Sequence, residues 1–418
     1  MFDLLFKNAI MTNETHPIDL AIRDGKIAVR GAGIDRNAKQ IIDLKGQVVV
    51  PGFVDSHVHL DIALMNSWEQ PGRLEPFLSH YGLNESLERR RKLFTPAEIE
   101  KRAGQSLMLA SRHGITALRA QCHVDLEVGL THAQSLTNIK QAYADLVDVQ
   151  IVGFPQQGLL SDEKTLDLFK EAFEGGLLDV MGCASNLDRS IDFRDHISKA
   201  LDLAIELDVD LDAHVDLGLH ADLDWEDLEV IYLANQTIER GCQGRVTAGH
   251  VSSLDSVLLD GANRAIERIK AADINIVSQP DLYRLGREDQ RHVRRGLTRV
   301  KELLAAGVNV TFASNNVRDA LRPMGNFDLL EEALILAYGA HMDTIEELNL
   351  LMQMCTENAA QALRLSDYGL EVGCQADLVV LDAPSPSAAI VGQTEKSYVV
   401  KAGKIVAKNR VITEQNRP

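Results

Sequence analysis

The feature that most restricts the fold of this sequence is a regular alternation of short β-rich runs and amphipathic helical runs. Eight apolar runs, rich in β-branched residues, lie between residues 48 and 313, and helical segments separate them. The predicted strands are Val48–Val54, Thr116–Gln121, Val149–Phe154, Leu178–Cys183, Val209–His214, Arg245–His250, Ile274–Ser278 and Val308–Ala313. The predicted helices include Pro96–His113, Lys164–Glu174, Arg194–Leu207, Asp227–Gly241, Ser256–Ala272, Gly296–Ala306, Phe327–Tyr338 and Ile345–Leu363.

This alternation indicates a parallel sheet, because a parallel strand pair needs a long crossover that is usually a helix. Eight such units within about 250 residues are typical of a (β/α)8 TIM barrel. A doubly wound open sheet is the alternative, but it carries a Gly-rich phosphate-binding turn after a strand. No predicted strand here is followed by such a turn. We therefore predict an α/β fold built on a (β/α)8 barrel.

Both chain ends have a different texture, with short strands and tight turns. Asp24-Gly25 separates two apolar runs and predicts a β-hairpin. The sequence Gly-Lys-Ile-Val at 403–406 resembles Gly-Lys-Ile-Ala at 25–28. We predict one small composite β-sandwich domain formed by residues 1–51 and 366–418, with the barrel over residues 52–365.

The connection after the first predicted strand, residues 61–95, is unusually long. Loops of this length in compact domains are often lids or binding loops, so Trp68 is a candidate substrate contact. The charged run Glu88-Arg-Arg-Arg-Lys92 is interpreted as a solvated helix face.

Charge and composition exclude several classes of partner. The formal net charge is −18, whereas nucleic acid and anionic membranes both require a basic protein face. We find no run of 18 apolar residues and no basic-then-apolar start, so neither a membrane span nor a signal peptide is expected. Five dispersed cysteines favour reduced thiols and a cytoplasmic location. A small-molecule substrate and a homo-oligomer are the expected partners.

Polar residues gather where the predicted barrel strands end, which is where barrel active sites lie. His57 and His59 follow the first strand, and residues i and i+2 of an extended chain point to the same side. The other polar residues at strand ends are Gln121, His123, Asp125, Gln156, His214, Asp216, His250, Asp281, Asn315 and Asp319. The remaining histidines, among them His132 and His196, fall in predicted helices or loops and are interpreted as surface or capping residues.

His57, His59 and His214 are predicted to converge as three imidazole ligands of one divalent metal ion. Zinc suits such a set best, with iron or manganese as alternatives. Open coordination positions would admit a water whose pKa falls toward about 7, giving a metal-bound hydroxide nucleophile. His250 is placed to hydrogen-bond that water. Gln156 suits recognition of an amide or amidine edge, although capping of its strand end is an alternative. Cys122 points away from this face and is interpreted as a core residue.

These residues resemble those of the amidohydrolase superfamily. The motifs are Pro51-Gly-Phe-Val-Asp-x-His57-x-His59, His123-Val-Asp125, the strand containing His214, Arg245-Val-Thr-x-x-His250 and Ala313-Ser-x-Asn316. Within the superfamily they are similar to motifs of cytosine deaminases and N-isopropylammelide isopropylaminohydrolases. The resemblance implies a TIM barrel with a small β domain. It also implies hydrolytic removal of an amino or alkylamino group from a pyrimidine- or triazine-like ring. His57, His59 and His214 would bind the metal, Gln156 would contact substrate, and His250 would assist the attacking hydroxide.

Two positions depart from that pattern. Asn315 stands where the family has an aspartate that binds metal and shuttles protons, and an amide cannot accept a proton near neutral pH. Leu217 stands where cytosine deaminases have a proton-shuttling glutamate. Asn315 is therefore expected to give at most a weak metal contact. Asp216, Asp281 and His250 are the candidate replacement bases, and Asp281 is also a candidate substrate contact. Asp319 is a further carboxylate at this strand end, but the resembling proteins carry it too, so it is interpreted as a structural residue.

We therefore expect a metal-dependent hydrolase acting on a C–N bond other than a peptide bond, of the deaminase or aminohydrolase type. One alternative is hydrolysis of a cyclic or linear amide at the same site. Another is a catalytically impaired homologue that acts as a binding protein, because Asn315 and Leu217 replace acidic residues.

Overall fold

The structure is a computed structural model that describes residues 1–11, 16–35, 37–66, 80–188, 191–217, 223–279 and 297–410, with side chains from residue 85 onward in the first helix. Its strands are β1 Phe2–Met11, β2 Ile18–Arg23, β3 Lys26–Gly31, β4 Ala38–Asp43, β5 Val48–Pro51, β6 Phe53–His59, β7 Ile115–His123, β8 Asp148–Phe154, β9 Val180–Ala184, β10 Asp210–Val215, β11 Val246–His250, β12 Asn275–Ser278, β13 Val310–Phe312, β14 Leu378–Leu381, β15 Lys396–Lys401 and β16 Lys404–Lys408. Its α-helices are α1 His80–Arg91, α2 Pro96–Arg112, α3 Thr131–Ala142, α4 Glu163–Glu174, α5 Phe193–Glu206, α6 Glu229–Arg240, α7 Leu259–Ala271, α8 Val300–Ala305, α9 Leu329–Ala340, α10 Ile345–Met354, α11 Glu357–Ala362 and α12 Pro386–Gly392.

Strands β6 to β13 form a parallel sheet in chain order, with helices between successive strands, and the predicted (β/α)8 barrel is confirmed. Strand β13 returns to β6 through the residues that follow it. The backbone N–H of Asn315 donates to the carbonyl of His57 (2.9 Å), and the N–H of His59 donates to the carbonyl of Asn315 (2.8 Å). Asn315 therefore closes the barrel through its main chain, between the two histidines of the first barrel strand.

The prediction of one first strand over Val48–Val54 was wrong. The chain instead forms two strands that Gly52 separates: β5 belongs to the terminal sheet, where it pairs with β14 and β1, and β6 opens the barrel. A Cβ at Gly52 would lie 2.1 Å from Oγ1 of Thr116 on the neighbouring strand. Only glycine therefore allows the chain to pass from one sheet to the other at this point.

The barrel helices cover the strands with one apolar face each. In α2, Thr95 caps the N-terminus by accepting the N–H of Glu98, and Pro96 occupies the first turn, where its missing N–H costs nothing. Ile99, Ala103, Leu107 and Ala110 follow at helical spacing, and all four are buried.

One predicted helix, Ile345–Leu363, is in fact two. The chain breaks at Cys355 and Thr356, between α10 and α11. There the Cys355 carbonyl accepts the backbone N–H of Val54 (2.9 Å), at the start of the first barrel strand. A tertiary contact thus takes a carbonyl that a continuous helix would have used internally.

The two chain ends form the predicted small β-sandwich. Strand β1 pairs through its first part with β2 and β4 and through its last residues with β5, so the terminal sheet continues around to β14, β15 and β16. One buried core includes Phe6 and Ile22 from one half and Val380 and Val400 from the other.

The predicted hairpin at Asp24-Gly25 joins β2 and β3, and the matching sequence Ala402-Gly403 joins β15 and β16. All four turn residues have positive φ, between 46° and 77°. A Cβ at Gly403 would lie 2.9 Å from the Cα of Gly25. The two similar turns thus pack against each other, and this contact joins the chain ends. None of the helices in the described part of the chain has the length and apolar character needed to cross a membrane.

Candidate active site

Four imidazoles meet at the carboxyl end of the barrel. His57 and His59 project from β6, His214 from β10 and His250 from the end of β11, and each is at most 6% exposed. Nε2 of His214 lies 3.0 Å from Nε2 of His57 and 3.3 Å from Nε2 of His59. We call His57, His59 and His214 the metal-site cluster.

This spacing fits ligands of one metal ion. Two nitrogens that each lie about 2.0–2.1 Å from a tetrahedral zinc ion are roughly 3.3–3.4 Å apart. When three imidazole nitrogens face one another, the N–H groups of the rings cannot provide a hydrogen bond to every nitrogen lone pair. A metal cation between the rings can accept all three lone pairs. Burial, followed by the neighbouring His57 and His123 rings, lowers the pKa of His59 well below its ordinary value. That histidine is therefore neutral, which is the form that binds a metal.

His250 stands beside this cluster. Its ring centroid is 5.3 Å from that of His214 and 6.1 Å from that of His57, and a ring nitrogen of each of these three residues falls within one 4.8 Å group. His250 has a φ of 71°, and its backbone N–H donates to Oε1 of buried Gln279 (2.6 Å). The main chain is thus held in an unfavourable conformation that aims the ring at the cluster.

A carboxylate stands behind His57, on the side away from the other imidazoles. Nδ1 of His57 lies 3.4 Å from Oδ1 of Asp212, and Nε2 of Gln121 donates to the same oxygen (3.0 Å). Nη1 of the buried Arg119 donates to the other oxygen of Asp212 (3.2 Å). Burial raises the pKa of Asp212, but His57 and Arg119 outweigh it and hold that pKa below the usual value. A metal-binding histidine whose second nitrogen faces a carboxylate is fixed in tautomer and orientation.

A second buried group lies next to His59, and we call Asp61, His123 and His132 the Asp61 cluster. Oδ2 of Asp61 accepts from Nδ1 of His132 (2.6 Å) and from the backbone N–H of His123 (3.0 Å), and Nδ1 of His123 is 3.1 Å away. Burial raises the pKa of Asp61, but the two imidazoles outweigh it and hold that pKa well below its usual range.

Asn315 lines the cavity between these groups. It has a φ of 54°. The preceding residue, Ser314, donates its N–H to Oδ1 of Asp55 (3.1 Å), and its carbonyl accepts from Nη1 of Arg322 (2.9 Å). Arg322 pairs in turn with buried Glu332 (2.7 Å). Burial raises the pKa of Asp55 to about 6 and that of Glu332 to about 7. Asn315 is therefore held rigidly in place by its neighbours.

Asp216, a candidate replacement base, and Asp319, which we interpreted as structural, both have other contacts. The carboxylate of Asp216 accepts the N–H groups of Glu229 and Val230 (2.9 Å each) at the N-terminus of α6. Oδ1 of Asp319 accepts the N–H groups of Leu321 and Arg322 (2.8 Å each) in the turn after Asn315. Each carboxylate thus stabilises a main-chain turn. In the described part of the chain, the cavity wall includes neither Asp216 nor Asp319. Trp68 and Asp281 lie outside the described residues.

The cavity itself combines polar groups with apolar walls. His59, His123, Gln156, His214, His250, Asn315 and Asn316 contribute polar atoms, and Ile62, Leu87, Phe154, Leu187, Leu217 and Leu321 contribute apolar ones. Leu217 faces the cavity and forms part of its apolar wall. The geometry thus provides a metal-binding edge, an amide at Gln156 and apolar faces suited to a flat ring.

The charged run that we interpreted as a solvated face includes a fully buried arginine, so that interpretation was wrong for Arg91. Its guanidinium contacts Glu88 (2.6 and 2.8 Å) and Asp125 (2.8 Å). Oε1 of Glu88 accepts from Nε2 of Gln156 (2.8 Å). Helix α1 therefore reaches the predicted substrate amide, a contact that no spacing in the sequence indicates.

Two histidines that we interpreted as surface or capping residues are buried instead. His132 binds Asp61, and Nδ1 of His196 lies 2.5 Å from Oδ2 of Asp188. Each of these histidines sits in the first turns of a helix and faces a carboxylate in a segment that follows a strand, Asp61 directly after β6 and Asp188 after the short 3-10 turn that follows β9. The presence of a histidine near a helix start and an aspartate soon after a strand was the only signal in the sequence. Cys122 is fully buried, as predicted.

Comparison with known proteins agrees with this arrangement. Residues 48–406 match the Amidohydrolase family. The chain is 31% identical over 428 aligned residues to N-isopropylammelide isopropyl amidohydrolase of Pseudomonas sp. strain ADP, covering 98% of each protein. It is 30% identical to a pterin deaminase of Rhizobium rhizogenes, covering 93% of this chain and 87% of that one. The crystal structure of 5-methylcytosine deaminase from Klebsiella pneumoniae, liganded with 5-fluorocytosine, superimposes with a TM-score of 0.87 at 29% identity and 99% coverage of both chains.

Proposed function

The chain belongs to the amidohydrolase family, and from that premise we propose that it removes an amino or alkylamino group from a small pyrimidine- or triazine-like heterocycle. The family is metal-dependent, and the relatives of this chain include an N-isopropylammelide isopropyl amidohydrolase, a pterin deaminase and a 5-methylcytosine deaminase. The observation that carries the proposal is the metal-site cluster. In it, Nε2 of His214 lies 3.0 Å from Nε2 of His57 and 3.3 Å from Nε2 of His59, and both His59 and His214 line the cavity.

We propose zinc as the ion, held by His57, His59 and His214. Three imidazoles and no thiolate form a donor set that suits zinc, with iron or manganese as the alternatives. A divalent cation bound there supplies an activated water nucleophile at neutral pH. The residues of the chain must then orient the ring and handle the protons.

We propose that His250 accepts the proton of the attacking water at a ring nitrogen. Asn315 holds the corresponding position of the family's aspartate but has no basic atom. Among the described residues that line the cavity, His250 is the titratable side chain nearest to the metal-site cluster that is not itself a proposed ligand. Its ring centroid lies 5.3 Å from that of His214, whereas the His123 ring lies 6.4 Å from that of His59. The proton then passes to the departing amine, because a neutral amine leaves far more easily than its anion.

The test combines metal analysis with an amine-release screen. Purified protein should contain about one divalent ion per chain, and it should release ammonia or an alkylamine from at least one aminated pyrimidine, triazine or pterin. A new carboxylate without a released amine would instead indicate hydrolysis of a cyclic or linear amide. Protein that binds no divalent ion and is unaffected by chelators would contradict the proposal.

The proton acceptor is tested in a double variant. His250→Ala should lower kcat by on the order of 10²–10⁴-fold, and Asn315→Asp in that background should recover part of the loss by supplying a carboxylate. A His250→Ala protein as active as the wild type would exclude this role.

Location and assembly remain proposals. All five cysteines are free thiols, and four of them are buried, which supports a reducing, cytoplasmic environment. Cell fractionation tests the location, and light scattering tests the predicted homo-oligomer.

A further inference from the structure

We infer that Glu88 is a positioning residue that fixes the side-chain amide of Gln156, so that the site selects heterocycles presenting an N–H donor. This inference rests on the proposed function, since it concerns the same cavity. Neither residue is a metal ligand, and Glu88 lies on α1, in the long connection that follows the first barrel strand.

The hydrogen bond with Glu88 determines how the side-chain amide of Gln156 is oriented. The side-chain nitrogen and oxygen of glutamine differ in hydrogen bonding, since the nitrogen only donates and the oxygen only accepts. Nε2 of Gln156 donates to Oε1 of Glu88 at 2.8 Å. An ionised carboxylate only accepts, so the opposite orientation would place two acceptors against each other. Glu88 therefore determines which end of the amide faces it.

Glu88 is itself held in place by Arg91. Its other oxygen accepts from both Nε and Nη2 of Arg91, at 2.8 and 2.6 Å. Nη1 of Arg91 donates to Oδ2 of Asp125 (2.8 Å), and Oδ1 of Asp125 accepts the backbone N–H groups of Glu127 and Val128. Arg91 is fully buried. Two charge-assisted hydrogen bonds to one oxygen of Glu88, from a buried guanidinium that is itself held by Asp125, restrict the position of this carboxylate.

The Gln156 side chain keeps its oxygen available for a ligand. Among the described residues, the donation to Glu88 is the one hydrogen bond made by the Gln156 side chain. Gln156 is 8% exposed and lines the cavity. Its Oε1 is thus left as an acceptor for whatever enters. Leu87, next to Glu88, together with Leu217 and Leu321, supplies apolar surface for the ring faces.

The chemical class of the ligand follows from this acceptor. A ring that carries an N–H at the edge facing Gln156, such as an oxo-pyrimidine or an oxo-triazine in its lactam form, would form a hydrogen bond. An analogue whose nitrogen at that edge is alkylated would leave Oε1 of Gln156 buried without a donor, and sites built around a hydrogen bond reject such analogues strongly. Specificity thus depends on a carboxylate that need not touch the ring.

The experiment compares two glutamate variants on the same arginine. Glu88→Gln can donate or accept, so the Gln156 amide becomes free to turn. Glu127→Gln is the matched control, because Glu127 also contacts Arg91 (3.3 Å) but does not contact Gln156. The substrates are the amino-oxo ring on which the wild type is most active and its analogue methylated on the ring nitrogen.

We expect the wild type and Glu127→Gln to prefer the N–H ring by the same factor. In Glu88→Gln that factor should fall about tenfold, corresponding to one hydrogen bond, through a higher KM for the N–H ring with kcat little changed. Glu88→Asp, one methylene shorter and unable to reach Gln156, should show the same loss and serves if Glu88→Gln does not fold. An unchanged preference in the folded Glu88 variants would overturn the inference.

The orienting role of Glu88 can be tested even if the proposed function is wrong. If the wild type releases no amine from any ring, calorimetric binding of cytosine and 1-methylcytosine to metal-loaded protein replaces the kinetic measurement. Equal affinity of wild-type protein for the two compounds, or the same affinity ratio in wild type and Glu88→Gln, would then exclude the orienting role.

Discussion

The two buried histidine groups at the mouth of the barrel are built from the same residue types, but they differ in what stands at their centre. In the metal-site cluster, three imidazole nitrogens face one another. In the Asp61 cluster, two imidazoles and a backbone N–H face one carboxylate oxygen. Both clusters are buried, and His59 and Asp61 are only two residues apart in the chain.

A cluster of potential ligands is therefore not by itself a metal site. The Asp61 cluster brings three ligand atoms within 4.8 Å of one another, and so do His57 and His214 of the metal-site cluster together with His250. The Asp61 cluster already contains an anion, the carboxylate of Asp61, which faces two imidazoles and a backbone N–H. The cluster therefore needs no metal cation. The metal-site cluster places its nearest carboxylate, Asp212, behind His57, where Arg119 also binds it. Its centre therefore needs a positive ion, whereas the Asp61 cluster serves as rigid support.

The largest effect that would separate the two clusters is expected for His214→Ala. The change removes the imidazole whose Nε2 lies near both other ligands, so the metal should be lost and activity should fall by on the order of 10³-fold or more, beyond the 10–100-fold typical of supporting residues. Metal content by mass spectrometry and amine release measure both effects. His250→Ala is the matched control and should keep the metal. Retention of a full metal equivalent by His214→Ala would refute the ligand assignment.

The second prediction concerns stability. Asp61→Asn leaves two buried histidines without their anion, which should lower the free energy of unfolding by about 3 kcal/mol. Metal content should stay at the wild-type level. Urea unfolding measures the change, with Asp202→Asn as control, since the exposed Asp202–Arg240 pair should contribute less than about 1 kcal/mol. Loss of metal in Asp61→Asn would show that the two clusters are one functional unit.

A smaller effect is expected behind the metal-site cluster. Asp212→Asn replaces the carboxylate facing Nδ1 of His57, which should weaken metal binding by about 10–100-fold. Competition with a metal-buffering chelator gives the affinity. Asp377→Asn, which alters a buried carboxylate paired with Lys401 in the terminal domain, should leave metal affinity unchanged. Equal affinities for Asp212→Asn and wild type would remove the orienting role of Asp212.

The smallest effect concerns pH. Because the folded pKa of Asp61 lies well below the usual range, its ionised form contributes stability that is fully present above the unfolded pKa of about 3.9. That contribution is lost as pH falls through the folded pKa. The difference in unfolding free energy between wild type and Asp61→Asn should therefore stay constant from pH 8 to 5 and shrink below pH 4. A difference that already shrinks between pH 7 and 5 would contradict the depressed pKa.

Much of this architecture was predictable from local pattern. Eight short apolar runs separated by amphipathic segments predicted the barrel, because a strand and a helix each bury a face with its own period. The spacing of His57 and His59 placed both imidazoles on one side of a strand, and the rule that barrel sites lie at carboxyl strand ends added His214 and His250. The repeated Gly-Lys-Ile turn likewise predicted that the two chain ends share one domain.

Local sequence pattern was therefore enough to predict the set of elements and the type of chemistry. Which polar side chains lie close together depends on the tertiary structure. It separated β5 from β6 at Gly52, buried His132 against Asp61, turned Asp216 toward the N-terminus of α6 and brought Glu88 to Gln156. The physical reason is that periodicity records whether a side chain faces the core or the solvent. It carries no information on which buried polar groups, tens of residues apart, will neutralise and hydrogen-bond one another.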